Sequence, residues 1–198
     1  MPLPKMTRRR FYAPPPAFHK HSVTLVEDEA RHLREVLRLK AGNDVYVFDG
    51  EGKEFLARIK ESRRDSALLD ILEEVGPARS ESPLKLTIAI ALLKGEKFDF
   101  VVQKVTELGV IAIAPLITKH ADIRLRDESD AGKRLKRWQR IAMEAAKQSG
   151  RAVVPAVSAP ALFETFITQQ KGKCVMFSER DGQPFATLEE SSHFIAVI

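Results

Sequence analysis

The 198-residue sequence contains a single cysteine, Cys174. An intramolecular disulfide and a cysteine-based metal cluster are therefore excluded, and the default expectation is a cytoplasmic protein. Long hydrophobic runs are also missing. The longest, Leu86 to Leu93, is broken by Thr87 and falls far short of the roughly 20 apolar residues that cross a bilayer. No apolar segment follows the basic residues near the amino terminus, so no secretory signal is expected. Several signatures of small-molecule chemistry are absent as well. There is no GxGxxG, no Walker A loop and no GxSxG elbow, which leaves dinucleotide binding, P-loop NTPase and α/β-hydrolase readings unsupported. His19 and His21 lie two residues apart without a nearby acidic partner, so no metal site is expected. Neither an internal repeat nor a low-complexity segment is visible.

What is present is the composition of a folded domain: 44% hydrophobic and 30% charged residues, with a formal net charge of +5. The excess of cations is modest, and its distribution says more than its size. Basic residues gather at Arg8-Arg9-Arg10, then at Arg31, His32, Arg34 and Arg38, then from Lys133 to Arg140.

The hydrophobic pattern changes character partway along the chain. Residues 1–75 read as mostly β. Ser22–Val26 alternates, and so does Asp44–Phe48, with Val45 and Val47 on one face and Tyr46 and Phe48 on the other. Asp49-Gly50-Glu51-Gly52 is a turn, Phe55–Lys60 the returning arm of a hairpin, and Ala67–Leu72 a further strand. Short strands at this spacing predict a small barrel. One helix interrupts them. Asp28 is the expected cap, Ala30, Leu33, Val36 and Leu37 the apolar face, and Gly42 the stop. Residues 76–83 read as a linker bounded by Gly76-Pro77 and Ser82-Pro83.

From residue 84 to 198 strands and helices alternate. The expected order is strand Leu84–Leu93, helix Lys97–Leu108 ended by Gly109, strand Val110–Leu116, and helix Asp130–Ser149 ended by Gly150. Strand Val153–Val157, helix Ala161–Gln169 and strands Lys173–Ser178 and His193–Ile198 follow. Such alternation predicts an α/β domain built on a mostly parallel sheet covered by helices on both faces.

Taken singly, the candidate site residues each have a plain reading beside the functional one. Lys94-Gly95 follows the first strand of the α/β region, where open sheets bind ligands, although by itself an ordinary strand-to-helix turn is the favoured reading. Glu107 sits unfavourably at a helix carboxyl end, which flags either a site or an exposed side chain. Arg151, just past the helix stop, is expected at an exposed corner, where its guanidinium can fork onto a phosphate or merely complement the helix dipole. The cations of 133–140 and those around His32 are either phosphate contacts or solvated helix faces.

Taken together, six blocks resemble one family. They are Arg9-Arg10-Phe11-Tyr12; His32-Leu33-Arg34-Glu35-Val36-Leu37-Arg38; Phe48-Asp49-Gly50-Glu51-Gly52; Ala91 to Lys97; Gln103 to Val110; and Arg137-Trp138 through Gln148-Ser149-Gly150-Arg151 to Pro155. In this order they resemble the RsmE family of ribosomal RNA methyltransferases. The resemblance implies a PUA-like RNA-binding β-barrel followed by a SPOUT-type α/β domain with a carboxyl-terminal trefoil knot. It implies methylation of N3 of a uridine in 16S ribosomal RNA, with S-adenosylmethionine as cofactor, the small ribosomal subunit as partner, and a homodimer. It also implies glycine-containing loops after the last strand that hold most of the cofactor contacts. The sequence ends at Ile198 without them, so the expectation is a domain truncated before its knot and inactive by itself.

Uridine N3 is protonated at neutral pH, so the reaction needs a base, or cations that stabilise the uridine anion, together with tight positioning. Arg10, Glu107 and Arg151 are the catalytic candidates. Arg8, Arg9, Arg10, His32, Arg34, Arg38, Lys94, Gln148 and Arg151 are the RNA-binding candidates, and Ser178 and Glu179 are the candidates for a remaining wall of the cofactor pocket. Two other readings stay open: a non-catalytic RNA-binding module, and an enzyme acting on a small metabolite, which would leave the arginine-rich start unexplained.

Overall fold

A computed structural model describes residues 8–119, 127–170, 173–177, 182 and 191–198. Backbone contacts divide the chain into two units. The first comprises Met1–Ser80 together with Lys147–Val153, and the second Glu81–Ala146 together with Val154–Ile198.

The first unit is a six-stranded mixed sheet. Its strands are β1 (Arg10–Tyr12), β2 (Phe18–His19), β3 (Ser22–Val26), β4 (Asp44–Phe48), β5 (Glu54–Ser62) and β6 (Ser66–Val75), in the spatial order β1-β4-β5-β6-β3-β2. Only β1–β4 is parallel. Register shifts between β5 and β6 at Leu56/Ala57 and Ile59/Glu61 bend these two long strands, as bulges do. Phe11, Val45, Val47, Ala57, Ile59 and Leu69 form the middle of a buried cluster.

Register decides what the other sheet face carries. Cross-strand partners project to the same side. Arg10 pairs with Tyr46, Tyr12 with Phe48, and Phe48 with Glu54. Arg10, Tyr12, Tyr46, Phe48 and Glu54 therefore share the face opposite the Phe11–Val47 core. That face is not left to solvent: Phe48 and Glu54 are both completely buried.

The helix of this unit differs from expectation. α1 covers only Glu27–Arg31 and continues through His32–Val36 as a wider turn, in which Leu37 N–H donates to the His32 carbonyl five residues back at 3.0 Å. Asp28 lies inside the first turn, and the capping position falls to Val26, which has no side-chain hydrogen bond to offer. Ala30 and Leu33 are buried, but Val36 is 69% exposed and Leu37 36%, because the widened turn rotates them away from the core. Chain reversal occurs at Arg38 (φ 52°) rather than at Gly42. Leu39 N–H closes the turn on the Leu33 carbonyl at 3.0 Å. A left-handed conformation costs a non-glycine residue about 1–2 kcal/mol.

The second unit is a parallel sheet of β7 (Lys85–Ala91), β8 (Ala112–Ile117), β9 (Ala156–Val157), β10 (Ala161–Leu162), β11 (Cys174–Met176) and β12 (His193–Val197). The order is β10-β8-β7-β12-β11, with β9 also paired to β8. α2 (Lys97–Leu108), α3 (Glu128–Ser149) and α4 (Phe163–Gln169) connect the strands. α2 stops where Gly109 adopts φ 105°. Its apolar residues do not all turn inward: Phe98 and Val102 are buried, whereas Leu108 at the last turn is 78% exposed. Phe98 packs on Trp138 of α3 with ring centroids 4.5 Å apart, and Asp99 accepts from Trp138 Nε1 at 3.1 Å and from Arg137 Nη2.

The expected helix Ala161–Gln169 begins two residues later, because Ala161–Leu162 adds to the sheet as β10. β9 and β10 lie in tandem along one side of β8, opposite its beginning and its end. The break between them explains how Pro115 fits inside a sheet strand. The Ile111 and Ile113 carbonyls accept from Ala156 and Ser158 on that side, so by alternation Pro115 presents its missing N–H to the same side, where the partner strand is interrupted.

Candidate functional site

The sheet face carrying Phe48 and Glu54 builds a buried ionic network. Glu54, at the start of β5, accepts four hydrogen bonds. Its Oε1 receives Arg10 Nε at 3.1 Å and Arg8 Nη1 at 3.2 Å; its Oε2 receives Arg10 Nη2 at 3.0 Å and the Ala78 amide at 3.1 Å. Arg10 thus grips the carboxylate through two nitrogens, the geometry that suits guanidinium best. Its remaining donors reach the 147–153 segment: Nη1 to the Lys147 carbonyl at 2.7 Å and Nη2 to the Arg151 carbonyl at 2.9 Å. The guanidinium also lies 4.6 Å over the Phe48 ring, and that of Arg8 4.6 Å over Tyr46. The two aromatic rings on the outer face of β4 are thereby covered by cations.

Further ties hold the same segment. Lys147 Nζ donates to Glu29 Oε1 at 2.5 Å, while Glu29 Oε2 accepts the Tyr12 amide at 3.2 Å. Gly52 N–H donates to the Ala152 carbonyl at 3.1 Å, and Val153 bridges Gly50 and Glu51. Arg79 N–H donates to the Gly150 carbonyl at 2.9 Å; Gly150, at φ 81°, has Ala78 and Arg79 3.5 Å from where a Cβ would stand. The stretch expected as a linker thus contributes two of these bonds, from Ala78 and Arg79. Asp49 Oδ1 accepts the amides of Glu51 and Lys53 at 2.7 and 3.0 Å and so fixes the Asp49–Gly52 turn. Burial, then the nearby charges of Asp49 and Glu51, pushes the Tyr12 phenol above its ordinary value.

These bonds give several candidate residues a place other than the one expected. Arg151, expected at an exposed corner, is only 2% exposed, because the bonds on both sides of it fold the turn inward. Arg10 is buried and committed to Glu54 and two carbonyls. Arg34 donates to the Arg63 and Arg64 carbonyls at 2.8 and 2.6 Å and to Glu35 at 2.6 Å, which ties the turn after α1 to the β5–β6 hairpin. His32 is half-buried, its ring edge-on to Phe11 at 5.8 Å. Arg9, Arg38 and Gln148 are exposed. Glu29 and Glu54, which anchor the network, were missed in the sequence. The signal that could have found Glu54 is its register opposite Phe48 at the end of a tight hairpin, on the face where Arg8 and Arg10 also fall by alternation.

In the second unit Lys94 is exposed beside Gly95, which adopts φ 60°. Glu107 is half-buried and pairs with Lys104 one turn earlier on α2, at 2.8 and 3.0 Å. Ser178 and Glu179 lie outside the described residues. The carboxyl ends of the parallel strands, where open α/β sheets take ligands, expose large apolar side chains: Met176 at 65%, Phe177 at 54% and Ile198 at 59%. Backbone bonds bring these ends side by side, Phe177 N–H to the Val197 carbonyl at 3.0 Å and Ala91 N–H to the Ile198 carbonyl at 3.3 Å. Among the described residues, no group of His, Cys, Asp or Glu is placed to hold a metal ion, and no helix is long and apolar enough to cross a membrane.

Comparison with known proteins agrees with this architecture. Residues 80–198 match the RNA methyltransferase domain family, and residues 25–72 match the RNA methyltransferase PUA domain. Ribosomal RNA small subunit methyltransferase E from Synechocystis is 36% identical over 82% of this chain and 51% of its own length; the Bacillus subtilis protein of the same name is 30% identical over 88% and 67%. The chain therefore spans about half to two thirds of the length of these relatives. Among solved structures, ribosomal RNA small subunit methyltransferase E from Neisseria gonorrhoeae, bound to S-adenosyl methionine, superposes with a TM-score of 0.84 at 32% identity, covering 96% of this chain and 80% of that one. A methyltransferase from Legionella pneumophila in complex with the same cofactor gives 0.87 at 27% identity, covering 98% and 80%. With a PUA-type sheet and a SPOUT-type parallel sheet in the order these relatives have them, the chain belongs to the RsmE family of RNA methyltransferases.

Proposed function

We propose that this chain is the RNA-recognising and partly catalytic portion of an S-adenosylmethionine-dependent enzyme that methylates N3 of a uridine in 16S ribosomal RNA, working in the cytoplasm as a homodimer on the small ribosomal subunit. The observation that carries the reading is the pair of family matches, PUA over 25–72 and RNA methyltransferase over 80–198, in one chain. The domain boundaries proposed with it are 1–75 and 84–198, joined through 76–83.

The cofactor fits the chemistry of the strand ends. Phe177 and Ile198 offer the apolar surface that an adenine ring needs, and Ser178 and Glu179 are the proposed polar partners. When bound, S-adenosylmethionine supplies the methyl group on its sulfonium. The chain's own contribution is to bind and orient RNA. Arg9, Arg38, Gln148 and Lys94 are the proposed direct contacts, since their side chains are exposed. Arg8, Arg10, Arg34 and Arg151 would act from underneath, holding the backbone that presents them. Lys94, at the carboxyl end of the first parallel strand, is the cation proposed to stabilise the developing uridine anion, in line with the general value of fixed positive charge at such a point. A target base stacked in RNA must leave its stack to be methylated, at a cost of a few kcal/mol.

The test is transfer of labelled methyl from S-adenosylmethionine to 16S ribosomal RNA in small subunits, using the natural gene product that carries this chain. Label at uridine N3 supports the proposal. RNA binding without transfer leaves the non-catalytic RNA-binding module, and neither activity sinks the reading.

A further inference from the structure

The turn that follows α1 has features that the ionic network does not use. It ends in two neighbouring apolar side chains held in the open, Val36 at 69% exposure and Leu37 at 36%. Immediately after them the backbone reverses at Arg38 in the left-handed region, φ 52°, without a glycine. The turn is rigidly mounted. Leu33 and Leu39 are buried on either side, and the Leu39 amide closes on the Leu33 carbonyl at 3.0 Å. Arg34 binds the carbonyls of Arg63 and Arg64 at 2.8 and 2.6 Å, and the Glu27 amide donates to the Asp65 carbonyl at 3.1 Å. The β5–β6 hairpin tip is thereby brought beside the turn.

Charge around this apolar tip is sorted. Arg31 pairs with Asp28, Arg34 with Glu35, and Arg63 with Glu61. That leaves Arg38, Lys40 and Arg64 exposed without an ion pair among the described residues, against Glu27 and Asp65. Two apolar side chains beside unpaired cations on a stiff support match a nucleic-acid strand whose bases are unstacked. Apolar groups fill the place of a stacked neighbour while cations meet the flanking phosphates. A fully paired A-form helix gives such a tip nothing to enter, because its bases stay stacked and its major groove is too narrow.

We propose that Val36 and Leu37 form an apolar wedge that contacts unpaired nucleotides of the RNA, with Arg38 and Arg64 on the adjoining phosphates. The proposal rests on the RNA-directed function above and adds a requirement for unpaired nucleotides at this surface. It makes Arg34 a support of the wedge, not a phosphate ligand.

The experiment compares the unaltered full chain with V36A/L37A and R38G. Glycine accepts the left-handed backbone at position 38, so that variant removes charge without disturbing the turn. The probes are a fluorescent hairpin from 16S ribosomal RNA with a single-stranded loop, and the same strand annealed to its complement. V36A/L37A is expected to bind the hairpin roughly tenfold more weakly, as suits two lost apolar contacts, while its duplex affinity and salt slope stay unchanged. R38G is expected to flatten the slope of log K against log salt by roughly 0.7–0.9 on both probes. Unchanged hairpin binding by V36A/L37A, or an equal loss on hairpin and duplex, overturns the wedge but leaves methyl transfer, and with it the proposed function, standing. A changed sedimentation coefficient with RNA binding intact identifies a protein–protein surface and overturns it too. If the unaltered chain binds neither probe, the RNA-directed reading falls and the wedge with it.

Discussion

The two units of this chain solve the problem of burial differently. Every buried charged residue among those described, Arg10, Glu29, Asp49, Glu54, Lys147 and Arg151, belongs to the first unit; in the second the only buried polar side chain described is Thr106, whose hydroxyl donates to the Val102 carbonyl at 2.7 Å. A parallel sheet covered by helices has apolar residues on both faces and can fill its interior with them. A small mixed sheet has one core face, and here its second face is closed by the short segment Lys147–Val153, which turns the carbonyls of Lys147 and Arg151 toward it. Backbone carbonyls in such a place need donors. Arg10 supplies them, and Glu54 supplies the counter-charge that lets an arginine be there. Charged residues in the first unit thus do work that leucine and valine do in the second.

Two substitutions of similar size should separate these modes. Phe98→Ala removes the ring packed on Trp138 and is expected to cost about 3–5 kcal/mol, read as early loss of tryptophan fluorescence in a denaturant titration. Glu54→Ala is expected to cost about the same, roughly 3–5 kcal/mol, because it strands a buried guanidinium. Its loss should appear first in amide exchange of β1, β5 and the 147–153 segment. If Glu54→Ala barely changes stability, the network is ornamental and the comparison fails. The double change Arg10→Met with Glu54→Leu sharpens it: stability should recover in part, since removing both charges of a buried pair is far milder than removing one.

A smaller effect concerns pH. The Tyr12 phenol is raised by burial and by Asp49 and Glu51. Its neutral form is therefore favoured in the folded state, and the associated stability is complete below the ordinary phenol value of about 10 and is lost as pH climbs through the raised value. Spectrophotometric titration should show Tyr12 ionising later than a free phenol, and Tyr12→Phe should blunt the alkaline loss of stability. The smallest effect belongs to the surface. Arg58 pairs with Asp44 at 2.7 Å with both side chains about half exposed. The pair lowers the Asp44 carboxyl through its hydrogen bond with Arg58, yet Arg58→Ala should leave the denaturation midpoint unchanged within error, as exposed pairs commonly do.

How much of this was legible in the sequence depends on the range of the interaction. α2 runs from Lys97 to Leu108 as its period of 3.6 and Gly109 announce, and Asp44–Phe48 alternates as read. Both rest on neighbours within a few positions. The helix at Asp28 misled because its capping and stop residues were judged by type alone, whereas the bond from the Glu27 amide to the Asp65 carbonyl fixes its start and that from the Leu39 amide to the Leu33 carbonyl closes its end. The burial of Arg10 and Arg151 was hidden because their partners are distant in the sequence. Arg10 near the start looks solvated until Glu54 arrives from 44 residues away and the Lys147 carbonyl from 137. One hint lay in plain view: the outward face of β4 presents Tyr46 and Phe48, two aromatics that a solvated face has no use for and that had to be covered.

The seven residues Lys147–Val153 have a consequence for how the protein is made. They count with the first unit although Glu81–Ala146 intervene. A ribosome emits the six strands of the first sheet early, but Arg10 waits for the Arg151 carbonyl, 141 residues downstream. At bacterial elongation rates of about 5–20 residues per second, that is a delay of roughly 7–28 s. From the completion of β6 at Val75 until the end of that interval the nascent sheet has its Phe48 face unroofed, and the first unit completes its fold only after Glu81–Ala146 of the second have been synthesised.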